Sequence, residues 1–183
     1  MIEIRPAALR EFALLPFIEA EADAAFAGLD PAIETASFPA PGTAGEFAEA
    51  FHIMVAGRPP VGFVRLEIVD GQAHVAQLAV HADHARKGIG RALLVAAKAW
   101  AQEAGFRSIT LTTFKDVPFN APFYATCGFT ALAPGQWGAG LAAIRRQEQE
   151  LGLDGAGPRI AMVATLGGEA ALGEDHFRRP RHA

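Results

Sequence analysis

The feature that most limits what this chain can fold into is a strand that runs into a basic, glycine-bearing loop and then a long helix. Leu78, Ala79 and Val80 close an apolar run. Arg86 and Lys87 lead into Gly88, and Ile89, Gly90 and Arg91 follow. From there Ile89, Leu93, Ala97, Trp100 and Ala104 recur at helical spacing until Gly105 supplies a stop, which predicts a helix over 88–104. A helix N-terminus carries unpaired N–H groups and the positive end of the dipole, so it attracts phosphate. Glycines at 88 and 90 let the backbone come close to such a group, and arginine binds it through two parallel hydrogen bonds. Two common phosphate loops are excluded. A P-loop requires Lys-Ser/Thr after its last glycine, and Gly90 is followed by Arg91-Ala92; the dinucleotide fingerprint requires a small residue where Leu93 stands. The loop alone also fits a plain turn before an amphipathic helix with solvated basic residues.

The remaining pattern surrounds this unit with strands. Residues 2–5 read as a short strand, and 9–26 as helix with a break near Pro16. Residues 28–45, rich in Pro, Ala and Gly, read as a loop with room for one helical turn and long enough to act as a substrate lid. Strands are expected at 51–56, 61–69 and 72–80, with Asp70-Gly71 as a tight turn. A strand over 108–113, a short helix over 120–127, a strand over 129–132, a charged helix over 141–151 and a last strand over 160–165 complete the series. A meander followed by βα units implies an α/β (α+β) domain built on a mixed, mostly antiparallel sheet flanked by helices. One domain over 1–166 and a flexible tail over 167–183 are expected.

Composition narrows the partners. Of 183 residues, 51% are hydrophobic and 20% charged, as in an ordinary globular domain. A net charge of −4 gives no basic field for nucleic acid. The Ala-rich stretches are interrupted by charges too often to span a membrane. The single cysteine, Cys127, suits a reducing compartment, and no basic, apolar leader is visible at the N-terminus; the expectation is a cytoplasmic protein. His81, Asp83 and His84 lack a third well-placed ligand, so no metal is expected.

The loop resembles that of the GNAT-type N-acetyltransferase superfamily, whose pyrophosphate loop reads Gln/Arg-x-x-Gly-x-Gly/Ala after a strand. Gly88 and Gly90 match, and the first position falls on Ala85. A second segment, Asn120 through Phe123-Tyr124 to Gly128-Phe129, is similar to the family's Asn-x-x-x-x-Phe-Tyr-x-x-x-Gly-Phe, two residues shorter after Asn120. Two motifs in family order are far more specific than either alone. The resemblance covers about 51–132. It implies a GNAT-like fold with acetyl-CoA as cosubstrate. Arg86, Lys87, Gly88, Ile89, Gly90 and Arg91 would cradle the pyrophosphate. The backbone of Leu78, Ala79 and Val80 would pair with the pantetheine arm.

The implied reaction sets chemical demands. An alkyl ammonium has a pKa near ~10, so about one molecule in a thousand is neutral at pH 7, and its proton must be taken. Tyr124 is the candidate acid for the leaving thiolate, and Asn120 a candidate for binding the pantetheine or capping its helix. For the base, Gln77 stands where many relatives carry glutamate. Glu67, acting through water, is the first candidate and His74 the second. Cys127 reads as a packed thiol. The expected activity is transfer of acetyl from acetyl-CoA to a primary amine of a small molecule or peptide. The alternative is a non-catalytic acetyl-CoA sensor of the same fold. The identity of the amine and the oligomeric state, a homodimer included, stay open.

Overall fold

Alternating apolar residues and tight turns make a meander at the centre of the chain. The computed structural model describes residues 2–35 and 38–167. Strands β1 (Ile4–Pro6), β2 (His52–Ala56), β3 (Gly62–Val69), β4 (Gln72–Val80), β5 (Ser108–Phe114), β6 (Thr130–Leu132) and β7 (Arg159–Thr165) form one sheet in the order β1-β2-β3-β4-β5-β7-β6. Only the β4–β5 pair is parallel. The mixed, mostly antiparallel sheet expected from the sequence is therefore present. Residues 168–183 of the expected tail lie outside the described residues.

The helices divide between the two faces. Helix α3 (Ile89–Glu103) lays Ile89, Leu93, Leu94, Ala97 and Ala101 on one face, against Val64, Leu66, Val75, Ile109 and Leu111. Full burial of side chains such as Leu66 and Leu93 stabilises by roughly 2–3 kcal/mol each. The short helix α4 (Ala121–Thr126) joins the same layer through Tyr124. On the other face, α1 (Leu15–Ala27) and α2 (Ala44–Ala48) enclose Leu15, Ile18, Phe47, Ile53, Val55, Phe63 and Ala79. Helix α5 (Ala139–Glu150) begins on the β3–β4 turn, where the Asp70 carboxylate accepts from the Gly140 and Leu141 N–H groups at 2.7 and 2.9 Å.

Two sequence expectations are corrected. Pro16 does not break a helix; a 3-10 segment (Leu9–Leu14) leads into α1, and Pro16 occupies its first turn, where the missing N–H costs nothing. The helical turn allowed within 28–45 falls at its far end and runs past it. Thr43 and Glu46 form a capping box there, with the Thr43 Oγ1 accepting from the Glu46 N–H and the Glu46 carboxylate from the Thr43 N–H.

Candidate active site

The open edge of the sheet lies where β4 and β5 part. The two strands pair only through Ala73–Ile109, His74–Thr110 and Val75–Leu111. Next in β4 comes Ala76, the extra residue of a bulge: Arg65 faces Gln77 while the adjacent Leu66 faces Val75. From Gln77 to Val80 the strand keeps β3 as its partner and has none on the β5 side among the described residues. An open backbone edge inside a sheet is a place for an extended ligand to add itself as a strand. Leu78, Ala79 and Val80 lie along it.

At the end of that edge stands the glycine-bearing loop. Arg86 and Gly88 both take left-handed backbone angles, φ 58° and 80°, which turn successive N–H groups to one side. The first helical bond of α3 runs from the Ala92 N–H to the Gly88 carbonyl. The N–H groups of residues 86–91 have no acceptor among the described residues. A Cβ built at Gly88 meets nothing within 4 Å, so the space over the loop is clear. Arg86 and Lys87 are exposed beside it, Lys87 donating from Nζ to the Asp83 carbonyl at 2.8 Å. Arg91 is turned elsewhere. Its guanidinium donates to the Thr126 carbonyl and Oγ1 at 2.9 and 2.8 Å, tying α3 to the end of α4. Gly90 is the point where α3 meets Leu78 and Phe123.

Tyr124 sits in the core layer, its ring between those of Phe123 and Phe129. Burial raises its hydroxyl pKa, with the neighbouring Cys127 thiol adding to the rise and Arg159 opposing it, so Tyr124 holds its proton at neutral pH. Asn120 precedes α4 but makes no side-chain cap. Its Oδ1 is buried without a hydrogen-bond partner. An unpaired buried acceptor costs about 1–3 kcal/mol, so this atom fits a ligand donor such as the amide N–H of a pantetheine.

Neither base candidate is brought to the opening. Glu67 accepts from Arg65 Nε at 2.8 Å and from the Phe51 N–H at 3.4 Å, which draws its carboxylate toward β2 and away from β5. His74 is buried in the paired part of β4, its Nδ1 2.9 Å from Thr110 Oγ1. Burial pushes its pKa down to about 4, against weaker pulls from Glu148, Glu67 and Asp70.

Two carboxylates that the sequence reading did not single out do face this region. Glu19 on α1 accepts from the Gly42 N–H at 2.9 Å and lies beside the Gln77 amide. Asp23 is one turn further along the same helix face. Beyond it Phe26 packs against Phe114 of β5 and against Phe119, with ring centroids 5.7 and 4.9 Å away. On the β5 side, Thr112 donates to Glu148 at 2.5 Å, and Glu148 also accepts from Arg159 at 2.6 Å. Spacing along α1 was their only sequence signal. Among the described residues, no group of three or more His, Cys, Asp or Glu is placed to hold a metal ion. None of the described helices is long and apolar enough to cross a membrane.

The parted strands and the amide-rich loop at the start of α3 are set in a fold that known acetyltransferases share. The Acetyltransferase (GNAT) family model matches residues 15–129, and the chain belongs to that family. Among solved structures, the PaiA N-acetyltransferase of Thermoplasma acidophilum in complex with coenzyme A is 16% identical. The match covers 90% of this chain and 99% of that one, with TM-score 0.63. The ribosomal-protein-S18-alanine N-acetyltransferase of Escherichia coli is 17% identical over 94% and 98% of the chains, TM-score 0.64. Ard1 of Thermoplasma volcanium is 17% identical over 91% and 98%, TM-score 0.62. These likenesses show the fold.

Proposed function

We propose that the protein transfers the acetyl group of acetyl-CoA directly to a primary amine of a small molecule or peptide. The observation that carries this reading is the run of unpaired N–H groups at residues 86–91, set at the end of the open β4 edge. The loop receives the pyrophosphate, with Arg86 and Lys87 adding charge. The edge from Leu78 to Val80 takes the pantetheine as an added strand, and Asn120 Oδ1 accepts one of its amide protons. That placement brings the thioester to the opening beside Tyr124. The amine nitrogen forms its bond to the acetyl carbon as the C–S bond breaks. Tyr124 gives its proton to the departing thiolate and regains one from the nitrogen. A thiol pKa near ~8.5 makes the thiolate a fair leaving group, so the expected contribution of Tyr124 lies near the low end of the ~10²–10⁴-fold range for acid–base catalysis.

The test uses two matched glycines. Gly88 and Gly105 bracket α3, have φ 80° and 86°, and both face open space. Valine at either position meets the same backbone strain. Gly88→Val should abolish CoA binding in calorimetry, while Gly105→Val loses similar stability and keeps CoA affinity. Equal CoA affinity in the two variants would remove the assignment. Turnover is read by thiol release from acetyl-CoA over a panel of primary amines. CoA binding with no transfer to any of them would favour the sensor reading.

A further inference from the structure

Helix α1 crosses the sheet obliquely. Its first turns pack on β2, β3 and β4 through Leu15 and Ile18, which share a core with Phe63 and Ala79. Its last turn packs on β5, through Phe26 against Phe114. Glu19 therefore stands over β4, beside Gln77, and Phe26 over β5. Asp23 lies between them on the same face, above the place where the two strands have separated. We propose that Asp23 takes the proton from the acceptor ammonium.

This assignment rests on the acetyl-transfer reading and adds to it the residue that prepares the nucleophile. The ammonium gives one proton to Asp23, and the neutral amine attacks. The second proton leaves the nitrogen as the amide forms, and the thiolate becomes a thiol. Asp23 then returns its proton to solvent, so one acetyl-CoA and one ammonium yield an amide, CoA thiol and one proton. Among the described residues no cation stands at ion-pair distance from Asp23 and no donor bonds its carboxylate. A half-buried carboxylate without a cation attracts one, and the substrate supplies it. Burial first and Glu19 second raise the Asp23 pKa to about 6, close to the value wanted of a base working at neutral pH. The other charged groups on this side act one step away. Arg65 of β3 and Glu46 of α2 bear on Glu19, while Arg159 and Glu148, across β5, are bound to each other.

The experiment follows kcat/KM against pH for the full chain and its D23N and E19Q variants, with the best primary amine of the panel, plus CoA affinity for each. Wild type should show an acidic limb near pH 6. D23N should fall about 100-fold at pH 7, lose that limb, recover toward wild type as pH approaches the amine's own pKa, and bind CoA unchanged. E19Q should keep the plateau rate and move the limb to lower pH, because a neighbouring negative charge has gone. A wild-type rate and limb in D23N would overturn the assignment, and so would a loss that is uniform at every pH. In those outcomes wild type still transfers acetyl, so the functional reading survives. Absence of transfer by wild type to any amine would overturn both.

Discussion

The two halves of β4 differ more than any other pair of regions in the molecule. Residues 73–75 are paired on both sides and hold core side chains, Ala73 and Val75, with a buried histidine between them. Residues 77–80 have a partner on one side, and Ala76, Gln77 and Leu78 are wholly or partly exposed. The same strand is thus closed core in its first half and an open edge in its second, the half proposed to take the ligand. The bulge at Ala76 is the joint between them.

Removing that joint should have the largest effect. Deleting Ala76 removes the extra residue, so Gln77 follows Val75 directly, keeps Arg65 as its partner and leaves Ala79 opposite Phe63 in the α1 core, while the strand loses the bend that goes with the bulge. The expected result is loss of CoA binding, because the unbent strand no longer parts from β5, with a stability change of only about 1 kcal/mol, read by calorimetry and urea unfolding. A variant that folds and binds normally would show that the two halves are not separate devices. A paired comparison sharpens the point. Val75→Ala should cost about 2 kcal/mol, since its side chain is 5% exposed in the main core. Leu78→Ala should cost under about 1 kcal/mol but weaken CoA binding several-fold.

The halves also differ in how they respond to pH. His74 has a folded pKa near 4, lowered from 6.5, so the unfolded chain binds more protons between those values. Its contribution to stability is therefore lost as pH falls through that window, by up to roughly 3 kcal/mol at pH 4. His74→Gln should flatten that acid loss in thermal melts. Asp23, over the open half, has the opposite sign. Its folded pKa is raised to about 6 from 3.8, so stability declines as pH rises across that window. D23N should melt higher than wild type at pH 7.5, by an amount worth about 1 kcal/mol at most because the group is half exposed, and equally at pH 4. This is the smallest effect and the one that isolates α1 from the strand beneath it.

What the sequence revealed follows the range of the physics involved. The glycine-bearing loop and the helix it opens were legible because glycines, basic residues and the start of a periodic helix are neighbours in the chain. Asn120 could be singled out from the sequence, but its orphan Oδ1 could not, because a cap and a ligand contact ask for the same residue type. The period-2 pattern of β3 placed Glu67 on a face but not in a direction; the pull of Arg65 and the Phe51 N–H decided that. The bulge at Ala76 has no glycine or break in hydrophobicity to announce it. Asp23 meets the β4–β5 opening only because α1 runs obliquely over the sheet, a long-range outcome that no local pattern encodes.

For anyone choosing where to cut or graft into this chain, the Asp70-Gly71 turn is a trap. Tight surface turns are the usual sites for insertions, tags and new termini. This one is also the anchor of a helix 70 residues further on, through the bonds from Gly140 and Leu141 to the Asp70 carboxylate. Gly138 presses so close that an added Cβ would overlap the same carboxylate. New termini opened at 70/71 would unmoor α5 and, with it, Glu148 and its hold on Thr112 and Arg159. A circular permutant made there should lose the β5 wall of the cleft while its hairpin still forms. The exposed stretch at 102–105, bound only to the end of its own helix, offers a safer opening.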